Sequence, residues 1–125
     1  MVKKIDKKVL IVEDDEDFVS ILKIKFESEG FTIFTARDGE SAVDVAQQEK
    51  PDVILSDVLL PKMDGIEMAK KLKETDKGVK IIFLTNLTDA GYAEEIKKMG
   101  CGFLVKSDLK ISDIVDKVKE KLGLG

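Results

Sequence analysis

Short apolar runs alternate with segments of helical periodicity five times along this chain, and that alternation restricts the folds open to it. Val9-Leu10-Ile11-Val12 is continuously apolar, as a strand covered on both faces must be. Phe31 to Ala36 alternates weakly, Val53-Ile54-Leu55 is a third run, Lys80 to Thr85 a fourth and Gly102 to Lys106 a fifth. Between them, Phe18, Ile21, Leu22 and Phe26 recur at helical spacing up to Gly30. Ala42, Val43, Val45 and Ala46 do the same from about 39 to 48, where Pro51 follows. A third helix opens at Asp64-Gly65, with Ile66, Met68, Ala69 and Leu72 inward, and Gly78 breaks it. Asp89 to Met99 reads as a fourth helix with a thin apolar face, Tyr92, Ala93, Ile96 and Met99. Ile111, Ile114, Val115, Val118 and Leu122 mark a last amphipathic helix. Strand and helix in strict alternation predict an α/β fold, a parallel sheet with helices on both faces joined by right-handed crossovers. The 125 residues suit one domain, with a core of about 8–122.

Composition removes several chemistries. The chain has no histidine, which excludes Ser-His-Asp and Cys-His catalysis and histidine-ligated metals. A net charge of −4 argues against direct contact with nucleic acid. The single Cys101 excludes an intramolecular disulfide and reads as an inert buried thiol. The basic start is followed by an apolar run of only Val9 to Val12, too short for a signal peptide or a membrane span. No membrane contact and a cytoplasmic location are the resulting expectations.

In open parallel sheets, ligands bind beyond the carboxyl ends of the strands. Those ends carry Glu13 and Asp14, then Asp57, Thr85 and Lys106. Three carboxylates in one place repel each other unless a hard divalent cation such as Mg²⁺ joins them through oxygen ligands. Such an ion leaves positive charge for a phosphoryl group. Thr85 can donate a hydrogen bond to a phosphoryl oxygen, and Lys106 can sit beside its negative charge. The acidic run Glu13 to Asp17 has a second use: Asp15, Glu16 and Asp17 suit the first turn of a helix.

The segments Val9–Asp15, Leu55–Gly65, Ile82–Thr85 and Gly102–Lys106 give the chain its resemblance to the receiver domains of two-component response regulators, the CheY-like fold. The most specific is Asp57-Val58-Leu59-Leu60-Pro61-Lys62-Met63-Asp64-Gly65. The resemblance covers the whole chain. It implies a doubly wound (βα)5 domain with strand order 2-1-3-4-5, the order for which CheY is a standard example. It also implies that Asp57 is the phosphoacceptor, forming a 4-aspartylphosphate with phosphoryl taken from a phosphohistidine of a sensor histidine kinase or phosphotransfer protein. Asp14 and Asp57 would ligate Mg²⁺ with the backbone carbonyl of Leu59, and Glu13 would act mainly through water. A register one residue later, Asp14 and Asp15, also supplies an acidic pair. Thr85 and Phe103 would form the switch that alters the surface of helix 4, strand 5 and helix 5 for an output protein. The chain would act as a stand-alone receiver with no output domain, monomeric or dimerising on phosphorylation, and not as an enzyme beyond its own phosphorylation and dephosphorylation.

Two positions depart from the family. Ser107 follows Lys106 where proline and a cis bond are usual, so a trans bond and a differently shaped loop are expected. Asn86 stands where a small residue is usual. Leu59 and Leu87, two residues after Asp57 and Thr85, are apolar where attacking water would be guided, which implies slow self-dephosphorylation. A phosphate-independent binding module of the same fold is the alternative reading. An aspartyl-phosphate phosphatase would need a second acid where Leu59 stands.

Overall fold

The computed structural model describes residues 4–86 and 90–124. Its elements alternate as the periodicity predicts: β1 (Lys8–Val12), α1 (Glu16–Ser28), β2 (Thr32–Ala36), α2 (Gly39–Glu49), β3 (Val53–Asp57), α3 (Gly65–Thr75), β4 (Ile81–Thr85), α4 (Ala90–Lys98), β5 (Gly102–Val105) and α5 (Ile111–Lys121). The five strands form one parallel sheet in the order β2-β1-β3-β4-β5. The central strands β1, β3 and β4 are the most apolar and the most buried, as residues covered on both faces must be. The edge strand β5 is only half-buried throughout.

Side chains alternate between the two faces of each strand, and this splits the core in two. Leu10, Val12, Ile54, Ile81 and Phe83 pack with α2, α3 and α4, joined by Ala42, Ala69, Met68 and Ile96. Val9, Ile11, Val53, Leu55, Ile82 and Leu84 pack with α1 and α5 through Leu22, Phe26, Ile114 and Val118. The thin face expected of α4 is observed: Ile96 is buried, whereas Tyr92 and Met99 are only partly covered. Cys101 is buried, and that burial pushes its thiol above the ordinary value. Among the described residues no helix is long and apolar enough to cross a membrane.

Boundaries move where backbone hydrogen bonding overrides composition. Asp57 is the last residue of β3, paired in register with Leu84. Lys106 does not extend β5 as the sequence suggested. The ladder ends at the pair Thr85 and Val105, and Lys106 begins a 3-10 turn over Lys106–Asp108. Helix α3 stops at Thr75, capped by Asp76, before Gly78 is reached. Asp89, read as the start of the fourth helix, lies outside the described residues.

One ion-pair group ties α1 to α5. Lys119 Nζ donates to Glu29 at 2.7 Å, and Lys25 Nζ lies 3.7 Å from the same carboxylate. The hydrogen bond from Lys119, more than its charge, holds Glu29 below the ordinary 4.5. A depressed carboxyl value stabilises the fold above the unfolded-state value, and the contribution is lost as pH falls through the depressed one. Lys119→Met is therefore expected to lower the urea midpoint slightly at neutral pH. The difference from wild type should close on acidification below 4.5.

Candidate phosphoacceptor site

The acidic run after β1 divides its labour within five residues. The backbone N–H of Glu13 donates to Ala36 at 3.0 Å, extending the strand by one residue and directing the Glu13 side chain inward. Its carboxylate is only 3% exposed. Asp14 is exposed. Asp15 is the N-cap of α1, accepting from the N–H groups of Asp17 at 3.1 Å and Phe18 at 3.2 Å. Such a cap is worth about 1 kcal/mol. Glu16 and Asp17 occupy the first turn, where the helix dipole favours acids. Glu13, Asp14 and Asp57 thus stand together, each offering a carboxylate oxygen, with those oxygens all within 4.8 Å of one another. The alternative pair with Asp15 would take that residue from its cap.

Asp57 is held from three sides. Its Oδ1 accepts from the N–H of Val58 at 2.7 Å, and its Oδ2 accepts from Lys106 Nζ at 3.1 Å. Its backbone carbonyl accepts from the buried Ser56 hydroxyl at 2.8 Å. The following loop folds back beneath it. Gly65 N–H donates to the carbonyl of Val58 at 2.8 Å, and Asp64 caps α3 by accepting from Glu67 N–H at 2.8 Å. Met63 N–H donates to Pro61 at 2.7 Å across Lys62, whose φ is 66°, a three-residue turn of the rare kind with a left-handed centre. Gly65 is required sterically: a Cβ there would overlap the carbonyl oxygen of Asp57. Leu59 lies in this loop with its side chain largely in solvent.

Lys106 reaches the same place from the 3-10 turn. Its Nζ donates to Glu13 Oε2 at 2.6 Å and to Asp57 Oδ2 at 3.1 Å, with its side chain 14% exposed. It also lies 4.7 Å from the ring centroid of Phe18. Burial works to lower the ammonium's proton affinity, but the bonds to Glu13 and Asp57 together outweigh it and hold Lys106 above its ordinary value. For Glu13, burial pushes the carboxyl up more strongly than Lys106 draws it down. Three acids facing one ammonium leave the cleft electronegative, which suits a hard divalent cation bound through oxygen.

Thr85, the last residue of β4, is 2% exposed. By strand alternation it belongs to the face of Phe83 and of Phe103, which pairs with Phe83 and packs partly buried against the α4 side of the core. Asn86 and Ser107 are both exposed, and the described residues contain no cis peptide bond. Leu87 lies outside the described residues. Phe18 was missed as a neighbour of Lys106, because helical spacing marks it only as inward-facing. Ser56 was missed as well, since a lone serine in a strand carries no signal of its own.

Comparison with known proteins places this geometry. The family described as response regulator receiver domain matches residues 9–119. The chain is 34% identical over 119 residues to the sporulation initiation phosphotransferase F of Bacillus subtilis, covering 95% of this chain and 96% of the relative. It is 45% identical over 80 residues to the alkaline phosphatase synthesis transcriptional regulatory protein PhoP of the same organism. That match covers 64% of this chain but spans only a third, 33%, of PhoP. Among solved structures, the CheX-CheY-BeF3-Mg²⁺ complex from Borrelia burgdorferi contains a chain with a TM-score of 0.84 and 33% identity, covering 91% of this chain and 87% of that one. The cluster of Glu13, Asp14 and Asp57 fits the Mg²⁺ site of a receiver. With five strands in the order 2-1-3-4-5 and an acidic triad at their carboxyl ends, the chain belongs to the response regulator receiver domain family, the phosphoacceptor modules of two-component signalling.

Proposed function

We propose that this receiver takes a phosphoryl group onto Asp57 from the phosphohistidine of a sensor kinase or phosphotransfer protein. The observation that supports this best is the convergence on one carboxylate of Lys106, at 3.1 Å, and of the acids Glu13 and Asp14. An Asp57 oxygen attacks phosphorus as the phosphorus–nitrogen bond to the donor imidazole breaks. The imidazole keeps the bonding pair and takes up a proton. Glu13, Asp14, Asp57 and the carbonyl of Leu59 would hold Mg²⁺, which supplies charge neutralisation for the transferring group. Lys106 stays beside the phosphoryl oxygens, and the Thr85 hydroxyl donates to one of them.

The modification adds roughly −1.5 to −2 charges in place of one carboxylate charge. Thr85 moving toward the phosphoryl group frees space on its own face of the sheet, where Phe103 lies. The partly covered α4 offers the surface that changes with it, a two-state element biased by a local charge. Output would pass to a partner protein from the surface of α4, β5 and α5. In this reading the chain works as one stand-alone receiver in the cytoplasm, monomeric or dimerising on phosphorylation. With a small phosphoramidate donor and Mg²⁺, the intact protein should gain the mass of one phosphoryl group. Chelating the metal should abolish the gain, and hydroxylamine should reverse it. No gain under these conditions favours a phosphate-independent binding module.

A further inference from the structure

We infer that Phe18 is a positioning residue for Lys106, holding the ammonium over its ring while the carboxylates that now bind it are used elsewhere. The inference rests on the phosphoacceptor reading of Asp57. Among the described residues Lys106 makes three contacts through its head group: Glu13 at 2.6 Å, Asp57 at 3.1 Å and the Phe18 ring at 4.7 Å from the centroid. The first two are carboxylates with other tasks in phosphoryl transfer, one beside the metal position and one as the acceptor. The ring has no such task, so it is the contact of the three that persists through the reaction.

The local structure holds the ring where this requires. The Asp15 cap accepts from Phe18 N–H at 3.2 Å, which fixes Phe18 in the first turn of α1. Its ring packs against the core cluster shared with α5; strand alternation places Glu13 and Asp57 on that same side, and Lys106 reaches them from its 3-10 turn. A cation within about 6 Å of a ring centroid is attracted by the negative face of the ring, more so when both are partly desolvated. Lys106 needs such support because its backbone offers little. It sits at the head of a 3-10 turn that has no side-chain cap, joined to Ser107 by an ordinary trans bond.

Two substitutions separate the field of the ring from its bulk. Phe18→Leu keeps an apolar side chain without a ring, and site-specific 3,4,5-trifluorophenylalanine keeps the ring but removes most of its negative face. Both should slow phosphoryl uptake from a small donor by roughly three- to tenfold, and Phe18→Tyr should restore it. In a Lys106→Met background, Phe18→Leu should add no further loss. By NMR, the Lys106 ε-methylene protons should carry an upfield ring-current shift that Phe18→Leu removes. Normal wild-type uptake with unchanged rates in the leucine and trifluoro variants overturns this inference alone, leaving Phe18 as core packing. Absence of uptake by the wild-type chain overturns the phosphoacceptor reading and this inference with it.

Discussion

Gly65→Ala is expected to destabilise the fold by about 3 kcal/mol, at the upper end of what one methyl group costs in a packed site. Gly65 opens α3 directly beneath the end of β3. A Cβ there would overlap the carbonyl oxygen of Asp57 and lie 3.1 Å from the ring of Phe83. The first of these is backbone of a central strand paired on both sides, so it cannot yield as a flexible side chain would. The start of α3 must lift instead. That movement strains the Gly65–Val58 hydrogen bond and the Asp64 cap, and it shifts the loop that carries Leu59. Urea unfolding measures the loss, and phosphoryl uptake should fall even where the variant remains folded. Gly78→Ala is the control: its Cβ would approach only the Asp76 carboxylate, at 3.6 Å. A change within about 0.5 kcal/mol is expected there. Equal effects at the two positions would show that close approach is not what requires glycine at 65.

Lys106→Met is expected to slow the chemistry severely while leaving the acceptor in place. Removing a preorganised charge from beside a transferring group costs about 10²-fold or more in rate, so uptake from a small donor should fall on that order. Stability should respond with a definite sign. Glu13 is 3% exposed and already raised by burial. Without Lys106 only the weaker hydrogen bond from the Asp15 N–H still opposes burial, and the carboxyl rises further. A carboxyl raised in the folded state makes that state bind more protons than the unfolded one, so stability falls as pH climbs from the ordinary 4.5 through the raised value. The penalty of Lys106→Met should therefore be small near pH 4.5 and approach about 3 kcal/mol once Glu13 is ionised. Added Mg²⁺ should recover part of it, because the variant cleft is one charge more negative and binding to the folded state stabilises it. A penalty that is flat with pH would show that Glu13 does not depend on Lys106.

The elements were legible because burial on two faces writes itself as unbroken apolar runs, Val9 to Val12 being the clearest. The strand order was not: five alternating units are compatible with several orders, and 2-1-3-4-5 entered through family resemblance. The acids at the strand ends were legible from the ligand rule for open sheets; Asp15 was read into the first turn of a helix and stands one residue before it, as the N-cap. Lys106 was read as strand because nothing from Phe103 to Lys106 breaks one, but a strand needs a partner, and β4 offers none beyond Thr85. Gly65 was read only as part of a helix start, whereas its requirement is steric and comes from Asp57, eight residues earlier. Phe18 and Lys106 are 88 positions apart, and nothing local marks a ring in one helix as the seat of a cation from a distant turn.

Asp57, and no other acid in the cleft, is expected to receive the phosphoryl group. Borohydride reduction of the phosphorylated chain converts an acyl phosphate into an alcohol, so a phosphorylated aspartate becomes homoserine that peptide mass spectrometry can locate. Homoserine at position 57 alone, absent from Asp57→Asn and from samples without Mg²⁺, is the predicted result. Homoserine at Asp14, or unchanged labelling of Asp57→Asn, would contradict it.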